Sequence, residues 1–228
     1  MLLAFNAGAV NAGGFLVLHL YTSHMTGFAS QLADGTVLGN PSIVANALVA
    51  IGAFIGGAAA CAILVNWGRR HHLHSVYALP LALEACLLAI FGLLGATMQA
   101  WQAVLAVPLT VLLLAFTMGL QNAVASKTSG GSIRTTHMTG NITDLGMELG
   151  KMAYWNGAVA GADAASAVRH SSPRFLTAAG LVGMFVAGGL LGAFGFRHLG
   201  FVCVVPLAAA LFALSIPPLW RDISRRSA

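Results

Sequence analysis

Two short phrases each bring several reactive side chains together in this chain: SHMTG at residues 23–27 and SIRTTHMTGNITDLG at residues 132–146. Each sets hydroxyls beside an imidazole, and the second adds Arg134, Asn141 and Asp144. Hydroxyl, imidazole and guanidinium groups all donate hydrogen bonds, so Thr135, Thr136, His137 and Arg134 together suit an anionic group or the carboxyl end of a zwitterion. The first copy repeats this chemistry with Thr22, Ser23, His24 and Thr26 but has no arginine. Acid–base chemistry is the competing use, with His137, Asp144 and Glu148 as the groups. Against it, neither phrase comes with a recognisable nucleophile or metal triad.

The second phrase predicts a short helix. Thr139 or Asn141 is a suitable N-cap, Ile142, Leu145 and Leu149 follow at helical spacing, and Asp144 and Glu148 lie one turn apart on another face. Such a helix points its free N–H groups back at the motif, where its dipole favours negative charge. Gly27 and Gly140 follow the motif threonines, and Asn11, Gln121 and Asn122, late in apolar segments, complete a polar lining. The expected binding set is therefore Asn11, His24, Thr26, Gly27, Gln121, Asn122, Arg134, Thr135, Thr136, His137, Thr139, Gly140, Asn141 and Asp144. For one copy alone, capping a half-helix inside a membrane is the simpler account. Glu84 is a separate case: a carboxylate deep in an apolar segment is either a neutral hydrogen-bonded acid or a proton-coupling group.

The elements that must position these groups are membrane helices. Hydrophobic residues make up 58% of the 228, charged residues 7%, and the mean hydropathy is +0.83. A hydrocarbon core of roughly 30 Å takes about 20 apolar residues in a helix. Six segments meet that length: residues 1–20, 42–65, 76–98, 101–124, 175–196 and 199–219. The first is read as a retained span rather than a signal peptide, because it lacks a basic start. It opens at Met1 itself, so an upstream start is among the expectations. The formal charge of +5 argues topology, not nucleic-acid binding: with the N-terminus inside, Arg197 is the one basic residue of eleven left outside. Both termini are expected in the cytoplasm. Cys61, Cys86 and Cys203 fall within spans and are read as small apolar packing residues. His71, His72, His74 and His170 lie in polar turns and His19 is isolated, so neither a metal nor a cofactor is expected.

The chain also repeats itself. NAGGFLVLHLYTSHMTG from Asn11 aligns with NAVASKTSGGSIRTTHMTG from Asn122, which is two residues longer, and GAFIGGAAA from Gly52 aligns with GMFVAGGLL from Gly183. Residues 1–98 and 99–228 thus each hold three predicted spans within one membrane domain. An odd number per repeat turns the second copy upside down, the inverted arrangement found among secondary transporters. The apolar but interrupted segments 27–40 and 140–168 are expected to be re-entrant or interfacial, the latter carrying Asp144, Glu148, Lys151 and Asp163. The predicted fold is all-α and polytopic. Gly52 with Gly56 and Gly188 with Gly192 form GxxxG pairs, for which internal packing is favoured over a homodimer interface.

NAGGFLVL followed by HMTG, GLQNA, RTTHMTGNITDLG and LEACLL around Glu84 resemble the YoaK family of bacterial membrane proteins, over nearly the whole chain. The resemblance implies an inner-membrane protein and supplies no substrate. Two positions depart from that family's pattern: Asn11 stands where an acidic residue is usual, and Phe28 where Asn commonly follows the first HMTG. The leading expectation is a secondary transporter or exporter of a small molecule, working by alternating access in the lipid bilayer. A channel, a membrane-embedded enzyme and an accessory subunit are the alternatives.

Overall fold

Asn40 and Pro41 start the longest of the described helices, the Asn40 carboxamide accepting from the Ile43 N–H at 3.3 Å, and Arg69 and Arg70 close it against the negative end of its dipole. In the computed structural model, residues 1–18, 20–101, 106–131, 133–154 and 168–226 are described. Their helices are α1 (Leu2–Leu18), α2 (Met25–Val37), α3 (Pro41–Arg70), α4 (Ala78–Trp101), α5 (Ala106–Thr128), α6 (Met138–Ala153), α7 (Ser172–Leu199) and α8 (Val204–Arg226). His19 and Asp163 lie outside the described residues.

Among the described residues, four helical stretches are long and apolar enough to cross a bilayer: Pro41–Arg70, Ala78–Ala96, Leu109–Thr128 and Ser172–Asp222. Six were expected, and the difference has two sources. The apolar helix at the N-terminus has only 17 residues, which span about 26 Å at 1.5 Å each. The last stretch holds two expected spans end to end: its 51 residues would make a rod of about 76 Å, more than twice the hydrocarbon thickness. Gly200, at φ 60°, breaks that stretch, and a 3-10 turn over Gly200–Cys203 separates α7 from α8.

Glycine-mediated crossings set the helix directions. α1 runs beside α7 in the same sense, with Gly8 against Phe185, Ala9 against Gly192 and Gly13 against Phe196. α3 runs beside α5 likewise, through Gly57 against Phe116 and Gly119 against Phe54, with Cys61 and Val65 packed on Leu120 and Val124 further along. α8 runs antiparallel to α4: Val204 packs on Gly92, and the Asp222 carboxylate accepts from the His74 N–H at 2.9 Å. The Tyr77 hydroxyl donates to the Lys127 carbonyl at 3.1 Å, which brings the end of α5 to the same place. The start of α4 and the ends of α3, α5 and α8 therefore share one end, with Arg69, Arg70, Lys127 and Arg221. At the other end Phe91, Phe196 and Phe201 close the core, the Phe91 and Phe201 rings edge-to-face at 5.5 Å.

The fifth predicted span uses its GxxxG internally, since Gly188 and Gly192 both press on α1. In the second, the tight crossing belongs to Gly57, one residue beyond the expected pair, while Gly52 faces open space. The reason is rotational: adjacent residues on a helix differ by about 100°, so one position decides which face meets α5. Cys61 is buried as expected, but Cys86 is exposed on the outer surface of the bundle.

Candidate functional site

Each HMTG phrase sits where a long helix has ended and a short one begins. α2 and α6 start directly after His24 and His137, which are their N-caps (φ −89°, ψ 70° and φ −82°, ψ 60°), and neither imidazole makes a capping hydrogen bond. This corrects the expectation of Thr139 or Asn141 as the cap: α6 already includes Met138, so both residues are inside its first turn. Gly27 and Gly140 lie under the rings, where a Cβ would meet His24 Nδ1 and His137 Nδ1. Any larger residue there displaces the imidazole. Residue for residue the copies share one burial pattern, from buried Thr22 and Thr135 through exposed His24 and His137 to buried Phe28 and Asn141.

An asparagine from the preceding long helix holds each phrase. Ser23 Oγ donates to Asn11 Oδ1 at 2.8 Å. In the second copy Asn122 Nδ2 donates to Thr136 Oγ1 at 2.6 Å and Asn122 Oδ1 accepts from the Thr136 N–H at 3.2 Å. The two extra residues of the second copy fall in a turn where Gly130 and Gly131 take φ of 63° and 89°, a left-handed region that glycine enters without steric cost. α1 runs away from the basic end and α5 towards it, so the phrases that follow them enter from opposite ends. They nevertheless line one cavity of about 730 Å³.

Of the expected binding residues, Asn11, His24, Thr26, Asn122, Arg134, Thr136, His137 and Thr139 line this cavity. Gly27 and Gly140 support the imidazoles from below, and buried Thr135 reaches Asn122 Oδ1 at 3.4 Å. Gln121 turns away into the bundle and donates to Glu84 Oε1 at 2.7 Å. Asn141 and Asp144 line a separate cavity of about 520 Å³ between α6 and α7. Sequence reasoning missed the apolar wall: Phe54 of α3, Phe185 of α7, Met25 and Met138, together with Tyr21. A signal existed, because Phe54 and Phe185 occupy matching places in the aligned glycine-rich segments and Tyr21 aligns with Arg134. Among the described residues lining the cavity none is acidic, and Arg134 is its permanent cation.

α6 buries its polar side. Asn141 and Glu148 face inward while Ile142, Met147 and Leu149 are exposed, the reverse of a helix on a soluble core. Glu148 is tied down, accepting from Lys151 Nζ at 2.8 Å and from the Ser171 N–H at 2.6 Å, which fastens α6 to the start of α7. The Lys151 hydrogen bond first, and then that of the Ser171 amide, hold its carboxyl below the ordinary value of 4.5. An acid lowered in the folded state stabilises fully above that ordinary value and loses its contribution as pH falls through the folded value. Acidification below about 4.5 is therefore expected to lower the melting temperature of the wild type, and to do so less in Glu148→Gln. Thermal unfolding across that pH range checks this; identical profiles would refute it.

Helices long and apolar enough to span, an irregular polar centre and a multi-helix core define a polytopic helical membrane protein. Residues 1–216 match the family described as Protein of unknown function (DUF1275), and the chain belongs to that family. It is 31% identical over 145 residues to UPF0700 transmembrane protein YoaK of Bacillus subtilis (strain 168), a match covering 63% of each chain. The chain thus spans under two thirds of the curated relative it matches. No solved structure matches.

Proposed function

We propose that the protein is a secondary transporter or exporter of a small molecule that carries an anionic group, bound between the two HMTG phrases. The observation that carries this reading is the cavity of about 730 Å³, walled by both phrases and by aromatic residues, with Arg134 and two imidazoles in it and no acidic side chain among its described lining. An aromatic and methionine wall with a few convergent polar donors is the usual make-up of a small-molecule site.

Alternating access by two inverted three-span repeats is the mechanism proposed. Exchanging the repeats maps one helix pair onto the other, which supports it: Gly8 on Phe185 matches Gly119 on Phe54, and Gly188 on Phe5 matches Gly57 on Phe116. The six spans of this reading are α1, α3, α4, α5, α7 and α8, with α2 and α6 as short elements that begin within the bilayer. Both termini are placed in the cytoplasm of a bacterium, at the end that holds Arg69, Arg70, Lys127 and Arg221. An enzymatic reading would use Glu148, which is already committed to Lys151 and Ser171.

The test is counterflow in proteoliposomes with a panel of small carboxylates and phosphates. Saturable exchange of labelled anion for unlabelled is expected; steady unsaturable conduction would favour a channel, and no movement of any anion would overturn the reading.

A further inference from the structure

At the crossing of α1, α4 and α5, three buried oxygens have no hydrogen-bond partner: Asn6 Oδ1, Glu84 Oε2 and Gln121 Oε1. Their residues are 3%, 0% and 0% exposed, so bulk water does not serve them. Both amides already turn their nitrogens to the same carboxylate oxygen, Asn6 Nδ2 at 3.2 Å and Gln121 Nε2 at 2.7 Å from Glu84 Oε1. Flipping either amide exchanges an orphaned oxygen for an orphaned nitrogen and sets two oxygens face to face. What the cluster lacks is a hydrogen on an oxygen.

We propose that Asn6, Glu84 and Gln121 form a binding site for a single proton, carried on Glu84 Oε2 and donated to a neighbouring amide oxygen. The carboxylate takes up one proton and becomes a neutral acid. Oε1 keeps both amide donors, and Oε2–H becomes the missing donor. A charged carboxylate here would stand without a cation at a depth where uncompensated charge is expensive. Among the described residues of the elements around it, α1 carries no charged side chain, α3 presents Cys61, and the basic group of α5 is Lys127 in its last turn, beyond Gln121. The basic residues of α3 and the charged residues of α8 lie at the C-terminal ends of those helices, beyond the start of α4. A sodium ion fits worse, because two inward-pointing N–H groups already occupy the fourth oxygen and three oxygens leave such an ion half-coordinated.

A third cavity, of about 380 Å³ between α1, α7 and α8, reaches Asn6 and is otherwise walled mainly by leucine, phenylalanine, alanine and glycine. It meets the cluster at Asn6 and shares no lining residue with the cavity between the HMTG phrases. The proposal stands whether or not that larger cavity moves a substrate.

Infrared difference spectroscopy on the full chain in lipid nanodiscs tests it at neutral pH, with exchange into heavy water to mark protonated carboxyls. A deuterium-sensitive carboxyl band is expected in the wild type and in Asp144→Asn, and its loss in Glu84→Gln. No such band at neutral pH, a band that survives Glu84→Gln, or a band removed by sodium at constant pH would each overturn the proposal. Gln121→Met keeps the carboxyl and takes away one partner, so it guards against a misfolded Glu84→Gln. It is expected to shift the band, and an unmoved band in the folded variant would equally overturn the proposal.

Discussion

Gly57→Ala is expected to lower the stability of the protein by about 1–3 kcal/mol, the usual cost of an extra methyl in a well-packed core, and Gly57→Leu to prevent folding. A Cβ at position 57 would fall on the carbonyl oxygen of Phe116, with the Leu120 amide behind it. Neither neighbour is a side chain that can rotate away; both are backbone of α5, so α3 and α5 would have to separate along their length. Because lipid is as apolar as a leucine side chain, helices in a bilayer associate through close packing, and spreading a crossing forfeits that contact. Gly52→Ala is the control. Nothing lies within 4 Å of a Cβ there, and the same methyl is expected to leave the melting temperature unchanged or slightly raised. Thermal unfolding in detergent compares the two; a Gly57→Ala protein that melts with the wild type would remove the close crossing from the account of this fold.

How far such features can be read in the sequence depends on which physical signal each one leaves. Long apolar runs leave a strong one, and α3, α4, α5, α7 and α8 each overlap the segment expected for it. The HMTG repeat leaves another, because matched residues at matched spacing survive any ignorance of orientation. Facing is what the sequence conceals. Gln121 and Asn122 are adjacent and both amides, yet one meets Glu84 inside the bundle and the other lines the cavity. One residue of rotation, about 100°, separates these outcomes, and only the partner helix decides between them. The same ambiguity moved the tight glycine from the GxxxG pair to Gly57. For α6 the spacing separates an apolar face from a polar one without saying which of them packs, and the surface that meets α7 is the polar one, carrying Asn141 and Glu148. The cap of α6 differs from the expected Thr139 or Asn141 because a threonine or asparagine is the usual residue there, whereas His137 holds the position by backbone geometry alone.

Arg134→Gln is expected to weaken binding of an anionic cargo about 10- to 100-fold, the equivalent of losing one hydrogen bond to a charged group at roughly 1.5–3 kcal/mol. The side chain is exposed to the cavity and holds no helix in place, so the melting temperature is expected to stay near that of the wild type. Tyr21, at the aligned position of the first copy, lines the same cavity from the other end and stacks on Phe15 with ring centroids 4.6 Å apart. Tyr21→Phe removes a hydroxyl and keeps the ring, and is expected to change binding by much less than Arg134→Gln. The asymmetry between the copies thus becomes testable by exchange. Tyr21→Arg combined with Arg134→Tyr returns one guanidinium to the cavity from the opposite phrase, and partial recovery of anion exchange over Arg134→Gln is expected in proteoliposomes. If the charge acted only by holding its own phrase in shape, exchange would recover nothing. If Arg134→Gln alone left anion exchange at the wild-type level, the cavity between the two phrases would not be where the anion binds.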